Sequence, residues 1–138
     1  MAKTQKKVLV TGASGYLALH CIYELLENGF CVRGSLRDIK KEREVRRALG
    51  NKIKGDNFEV CELNLMDDYG WDISTSNCDY LMHIASPCIV KEPKDEKEII
   101  DPAVKGTLRA LKAAHKSSVK KVILTSSIGS IVFGHNKK

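Results

Sequence analysis

A glycine pattern near the amino end of the chain has the spacing of a phosphate-binding turn. Gly12, Gly15 and Ala18 form the pattern Gly-x-x-Gly-x-x-Ala. The first glycine permits a tight turn, the second lets backbone approach a pyrophosphate, and the small third residue permits close packing of a helix on a strand. An anion there would meet free N–H groups and the positive end of a helix dipole. The residues predicted to bind a dinucleotide pyrophosphate are Gly12, Ser14, Gly15, Tyr16 and Leu17.

The residues around this pattern support its interpretation as a binding turn. A glycine pattern alone also occurs in simple turns, so its context decides. Here it follows a short apolar run at residues 7–10 and opens a stretch in which apolar residues share one helix face. The residues of that face are Ala18, Cys21, Ile22 and Leu25.

The end of the second predicted strand indicates which dinucleotide binds. An acidic residue at this place would hold the ribose of NAD. Leu36 cannot accept that hydrogen bond, whereas the Arg37 guanidinium suits the 2′-phosphate of NADP, and Lys41 or a neighbouring basic residue adds positive charge. The alternative assigns Asp38 to the ribose and leaves Arg37 on the surface. We expect NADP to be favoured over NAD.

These residues depend on strands and helices that alternate along the whole chain. Such alternation favours right-handed crossovers and a parallel sheet. The expected fold class is α/β, a Rossmann-type doubly wound parallel sheet of about five strands, in one domain over residues 1–138. The predicted strands cover residues 7–10, 30–36, 57–65, 79–85 and 119–125.

Three helices are predicted between these strands. The first ends at Asn28-Gly29, and the second is a charged helix over about residues 40–49. The third begins with Asp101 as N-cap and Pro102 at the first helical position. It continues to near His115 with an apolar stripe of Val104, Leu108 and Leu111.

Composition excludes several classes of protein. An apolar share of 43% with 29% charged residues is ordinary for a soluble globular protein. No apolar run approaches the roughly 20 residues that span a bilayer, and the run at residues 8–10 is too short for a signal peptide. We therefore expect a cytoplasmic protein with no membrane partner.

Charge and cysteine content indicate no further site. The net charge of +6 is concentrated around residues 40–54, but no nucleic-acid-binding motif accompanies it and only 6% of residues are aromatic. None of the five cysteines has Cys-x-x-Cys spacing, which favours small buried hydrophobic residues over a metal or redox site. We expect neither a nucleic-acid partner nor a metal.

Six separated motifs, taken together, resemble one family. They occur in the expected order at residues 11–16, 37–38, 64–71, 83–87, 101–107 and 125–127. The combination is similar to the extended short-chain dehydrogenase/reductases of the NAD-dependent epimerase/dehydratase superfamily. The branch it resembles contains dihydroflavonol 4-reductase, cinnamoyl-CoA reductase and related aldehyde reductases.

The resemblance implies roles for residues outside the glycine turn. Asn64, beside Leu65, stands where the family has an aspartate that contacts adenine, and an amide still offers an acceptor and a donor. The turn at Ala85, Ser86 and Pro87 would pass beside the cofactor riboses. For His83, a packed strand residue is the preferred interpretation.

The resemblance also implies a catalytic serine. Thr125 and Ser126 would border the cofactor, with Ser126 nearer the nicotinamide, and Ser127 would hydrogen-bond the substrate oxygen. Without a partner base, Ser127 polarises a carbonyl and is not a nucleophile. The alternative is a polar strand end that caps backbone groups.

The proton donor of the family, a tyrosine followed four residues later by lysine, is not found. The tyrosines are followed at that spacing by His20, Glu27, Ile73 and Ile84. The sequence is therefore expected to be the cofactor half of a longer enzyme, lacking later strands and a substrate domain. The fifth strand would then have a bare edge, so self-association or a completing chain segment is expected.

The leading hypothesis is an NADPH-dependent oxidoreductase that reduces a small carbonyl substrate, an aldehyde or a ketone. One alternative is an NAD-dependent sugar-nucleotide epimerase or dehydratase of the same superfamily. Another is a non-catalytic dinucleotide-binding module, or a truncated product.

Overall fold

Five parallel strands form one sheet in the part of the chain that the computed structural model describes, residues 5–87 and 93–134. The strands are β1 (Lys7–Val10), β2 (Cys31–Leu36), β3 (Phe58–Glu62), β4 (Tyr80–His83) and β5 (Lys121–Leu124). Their order is β3-β2-β1-β4-β5 and every neighbouring pair is parallel. The predicted fold class, a doubly wound Rossmann-type sheet, is confirmed.

Helices cover both faces of this sheet. They are α1 (Tyr16–Glu27), α2 (Glu42–Leu49), α3 (Trp71–Thr75), α4 (Lys97–Lys116) and α5 (Ile128–Val132). The two five-residue helices, α3 and α5, were not predicted, because one turn is too short to show helical periodicity. Among the described residues, no helix is both long and apolar enough to cross a membrane.

Alternating strand residues divide the core into two clusters. On one face, Val8, Val10 and Val32 pack against Ala18 and Ile22 of α1. On the other, Leu9 and Leu81 pack against Trp71 of α3 and small residues of α4. This period of two is what a strand buried on both sides produces.

The start of α4 differs from the prediction at Asp101. The helix begins at Lys97, and the Asp95 carboxylate accepts the Lys97 backbone N–H at 2.9 Å. Pro102 therefore lies inside the helix, where it removes the hydrogen bond that its position would donate to the Glu98 carbonyl. The signal of an N-cap followed by proline was misleading, because the helix already begins one turn earlier, with Glu96 as its N-cap.

The side of α4 that packs on the sheet consists of small residues. Gly106, Ala110, Ala113 and Ala114 are buried, which lets the helix axis approach the sheet closely. The apolar stripe faces away from the sheet and is 39–51% exposed. Its residues are Val104, Leu108 and Leu111.

Candidate dinucleotide-binding site

The predicted site lies where the strand order reverses. β1 and β4 are hydrogen-bonded neighbours, although β1 is followed in the chain by β2. The loops after parallel strands meet at one edge of the sheet, and ligands of such sheets bind between loops at this reversal. Residues 11–15 and 84–87 are the two loops that flank it.

The glycine turn has the geometry that a pyrophosphate requires. Gly12 has φ +75°, and a β-carbon there would lie 3.2 Å from the Cα of Ala85. The Gly15 N–H donates to the Gly12 carbonyl at 2.8 Å, and Gly15 is the N-cap of α1. No side chain caps α1, so its first N–H groups are left to an anion. These residues therefore fit the diphosphate of a dinucleotide.

Two residues of β2, which the sequence analysis did not identify, hold the glycine turn in place. The Ser35 hydroxyl accepts the Gly12 N–H at 3.2 Å, and the Ser35 carbonyl accepts the Ala13 N–H at 2.8 Å. A β-carbon on Gly34 would lie 2.9 Å from the Ala13 Cβ, so only glycine leaves room. A glycine inside a strand was the available signal, since it often marks a close backbone approach.

A buried hydrogen bond joins the ends of β1 and β4. Thr11 Oγ1 lies 3.0 Å from His83 Nδ1, and it accepts the Ile84 and Ala85 N–H groups, each at 3.0 Å. Burial lowers the pKa of the His83 imidazole. His83 is packed as expected, with its ring 6.3 Å from that of Trp71, but its polar partner was missed.

The end of β2 presents a basic side chain. Within residues 5–87 and 93–134, the exposed Arg37 side chain has no hydrogen-bond or ion-pair partner. The Asp38 carboxylate accepts the Lys40 N–H at 3.0 Å and so caps a short 3₁₀ turn, Ile39–Lys41. Asp38 thus has a structural role, and Lys41 is exposed at the end of the same turn.

The loop after β3 is held by several hydrogen bonds. Asn64 Oδ1 accepts the Met66 N–H at 3.0 Å, which leaves the Asn64 amide hydrogens available. The Trp71 indole donates to the Asn64 carbonyl at 3.3 Å, and Arg109 donates to the Leu65 carbonyl at 2.8 Å. The predicted adenine-binding pair is therefore fixed from α3 and α4.

The remaining predicted residues lie after β4 and β5, at the same edge. Ala85, Ser86 and Pro87 form the loop beside Gly12, and the Thr125 N–H donates to the His83 carbonyl at 3.1 Å. Ser126 is exposed. Ser127 is the N-cap of α5, and its Oγ accepts the Gly129 N–H at 3.2 Å. The Ser127 hydroxyl hydrogen can still donate to a ligand.

The cysteines and acidic groups form no second site in the described ranges. No group of three or more His, Cys, Asp or Glu residues there is placed to hold a metal ion. Burial raises the pKa of the Cys61 and Cys78 thiols, which disfavours the reactive thiolate. Cys88 lies outside the described residues.

Comparison with known proteins agrees with this geometry. Residues 8–138 match the NAD dependent epimerase/dehydratase family. Anthocyanidin reductase of Arabidopsis thaliana is 35% identical over 127 residues, covering 91% of this chain and 37% of the relative. Cinnamoyl-CoA reductase CAD2 of Medicago truncatula is 36% identical over 129 residues, covering 91% and 39%. The chain thus spans about two fifths of the length of these relatives.

A solved structure shows the same arrangement of strands and helices. Yeast methylglyoxal/isovaleraldehyde reductase Gre2, complexed with NADPH, superimposes with a TM-score of 0.79 at 29% identity. The match covers 92% of this chain and 38% of that one.

Proposed function

Since the chain belongs to the NAD dependent epimerase/dehydratase family, we propose that it binds NADPH and forms the cofactor half of a carbonyl reductase. Relatives named as reductases and a structural neighbour complexed with NADPH support the proposal. The substrate class would be a small aldehyde or ketone.

The observation that carries the cofactor preference is the contrast between Arg37 and Asp38. One oxygen of the exposed Asp38 carboxylate accepts a backbone N–H of its own turn, so Asp38 has a structural role in capping that turn. The exposed Arg37 guanidinium offers a planar set of donors that matches a phosphate. NADP carries a 2′-phosphate at this place and NAD does not.

Each group of site residues would have a different role in the reduction. The glycine turn and the first N–H groups of α1 bind the pyrophosphate, and Asn64 with Leu65 borders the adenine. NADPH supplies a hydride when bound. The Ser127 hydroxyl donates a hydrogen bond to the carbonyl oxygen and stabilises the negative charge that develops there.

Reduction of a carbonyl also requires a proton donor of suitable pKa within reach of its oxygen. Serine is a poor acid, and no tyrosine of this sequence is followed four residues later by lysine. We propose that the 138-residue chain binds the cofactor without catalysing turnover by itself.

A non-catalytic dinucleotide-binding module is the second candidate. It is favoured by the role of Ser127 as the N-cap of α5, which accounts for this serine without a substrate. The two candidates differ when the rest of a reductase is present, because only the first then depends on the Ser127 hydroxyl for turnover.

The test is a pair of fluorescence titrations with NADPH and NADH. A charge-assisted hydrogen bond of about 1.5–3 kcal/mol corresponds to roughly 10- to 150-fold tighter binding of NADPH. Arg37→Ala should remove this preference, whereas Lys112→Ala, which removes a charge from α4 on the other face of the sheet, should keep it. Equal affinity of the wild type for both cofactors would contradict the assignment.

A further inference from the structure

We propose that Thr11 and His83 are positioning residues for the cofactor, a buried pair that fixes the two loops of the candidate dinucleotide site only while His83 is neutral. This inference rests on the proposed cofactor function and adds two residues to its machinery. Neither side chain has to touch the cofactor, because the pair acts through the backbone that it holds.

The hydrogen bonds of Thr11 determine the protonation state and the tautomer of His83. A hydroxyl has one hydrogen to donate and two lone pairs to accept with. Thr11 Oγ1 accepts the Ile84 and Ala85 N–H groups, each at 3.0 Å, which occupies both lone pairs. Its hydrogen is therefore directed to His83 Nδ1, also at 3.0 Å. Since Nδ1 accepts, the ring is neutral and carries its hydrogen on Nε2.

The same bonds set the distance between the two loops. Thr11 immediately precedes Gly12, and its hydroxyl holds the N–H of Ala85, the residue that Gly12 faces. A β-carbon on Gly12 would lie 3.2 Å from both Cα and Cβ of Ala85, so the loops are already in close contact. A change at Thr11 would therefore move the ribose-side loop relative to the pyrophosphate turn.

The surroundings of His83 make this pair sensitive to protonation. His83 is 3% exposed, and burial alone lowers the pKa of its imidazole. In residues 5–87 and 93–134, the groups shown beside it are not titratable: Thr11 on β1, Trp71 on α3, and Leu124 on β5. The buried residues of α4 are glycine and alanine. A proton on Nδ1 would oppose the Thr11 hydroxyl hydrogen and place an uncompensated charge in the core.

The first test compares Thr11→Val with Thr11→Ser in the 138-residue chain. Valine keeps the shape without the hydroxyl, whereas serine keeps the hydroxyl. Loss of a buried hydrogen-bond partner should raise the Kd for NADP⁺ about 5- to 100-fold in Thr11→Val, and Thr11→Ser should recover most of that loss. Thermal unfolding by circular dichroism establishes that each variant is folded during the titration.

The second test is the pH dependence of binding, which remains informative if Thr11→Val does not fold. Wild-type affinity for NADP⁺ should fall as the pH decreases below the ordinary value of histidine, about 6.5. The 2′-phosphate of NADP⁺ also titrates near pH 6. The pH profile of the wild type is therefore compared with that of His83→Asn for the same ligand, so that the titration of the ligand is common to both. Asparagine provides a non-titrating acceptor near Nδ1, and its pH profile should be flatter. NAD⁺, which lacks the 2′-phosphate, should show the same difference between the two proteins.

The outcomes separate this inference from the proposed function. A wild-type chain that binds neither NADP⁺ nor NADPH overturns the proposed function. A wild type that binds NADP⁺, with folded Thr11→Val binding equally well or with His83→Asn showing an unchanged pH profile, overturns the positioning role alone.

Discussion

Gly106 of α4 lies so close to Leu65 that a β-carbon on Gly106 would come within 2.8 Å of the Leu65 side chain. Arg109, less than one turn further along α4, donates to the Leu65 carbonyl at 2.8 Å and pairs with Asp68. The helix thus fixes the loop after β3 from two sides. The glycine of the motif at residues 101–107 is explained by this contact.

Gly106→Ala should destabilise the fold in spite of the better helix propensity of alanine. The gain in propensity is about 1 kcal/mol, whereas overpacking against Leu65 costs about 1–3 kcal/mol. We expect a net loss of about 1 kcal/mol in the free energy of unfolding by urea, and weaker binding of 2′,5′-ADP. Lys112→Ala, on the exposed side of α4, is the control. An unchanged or higher stability of Gly106→Ala would show that the Leu65 side chain can move aside at little cost in free energy.

Gly15→Val should abolish binding of both NADPH and NADH without unfolding the protein. Gly15 has φ −79°, which any residue adopts, so the branched side chain occupies the pyrophosphate space and strains little backbone. A β-carbon there lies 3.2 Å from the Gly12 carbonyl oxygen, and Gly15→Ala should give an intermediate loss. Circular dichroism and fluorescence titration measure the two effects. If folded Gly15→Val kept its affinity for the cofactors, the assignment of this turn to the pyrophosphate would be wrong.

Within the described residues β5 is an edge strand, and we expect this edge to promote association of the 138-residue chain. Ile123 and Leu124 are each 48% exposed, and strand edges with apolar side chains pair readily with other chains. Light scattering should detect self-association that decreases in Ile123→Lys but persists in Asp56→Lys, which changes charge in a distant turn.

The 138-residue chain should show no turnover in steady-state assays with NADPH over a panel of aldehydes. A monodisperse monomer that reduces aldehydes with NADPH would show that the proton donor has been misplaced.

Asp79 should make the fold sensitive to acid. Its carboxylate accepts from the Lys120 side chain at 2.8 Å, the Lys7 N–H at 3.0 Å and the Lys6 side chain at 3.2 Å. These contacts, the Lys120 bond above all, lower its pKa well below the ordinary 3.8. A lowered pKa in the folded state gives stability that is present above the unfolded value and lost as the pH falls below it.

Asp79→Asn is therefore expected to be less stable than the wild type at pH 7. The difference in urea midpoint should shrink at pH 3, where the unfolded wild type takes up protons. Asp56→Asn, in an exposed turn, controls for general charge effects. A stability difference that is the same at both pH values would contradict this account.

The sequence predicts the elements whose signals are local. The glycine turn and the Asn28-Gly29 end of α1 were placed correctly, because glycine spacing and apolar periodicity lie within a few residues. All five strands were located, but the third ends at Glu62, three residues before the predicted end. The start of α4 was misplaced because Asp101-Pro102 has the local pattern of a helix start, whereas the helix begins at Lys97 after Glu96 as N-cap, with the Asp95 carboxylate accepting the Lys97 N–H.

The residues that hold the loops of the site in place could not be predicted in the same way. Thr11 and His83 are separated by 72 residues, and the Gly12 contact with Ser35 by 23. Each of these residues taken singly is ordinary for a strand end, and its role follows only from a partner brought close by the sheet. Chemistry that depends on long-range pairing leaves no pattern in a single sequence.

The pairing of β1 with β4 also determines when the two loops of the candidate site come together during folding. β1 and β2 are close in the chain, whereas joining Thr11 to His83 closes a long loop whose entropy must be offset before any contact is gained. Contacts of this kind slow folding and form late. The half of the sheet that carries the glycine turn can thus assemble before the loop at residues 84–87 is in place. A dinucleotide would then bind only after the transition state for folding has been crossed. It would therefore slow unfolding and leave the folding rate unchanged.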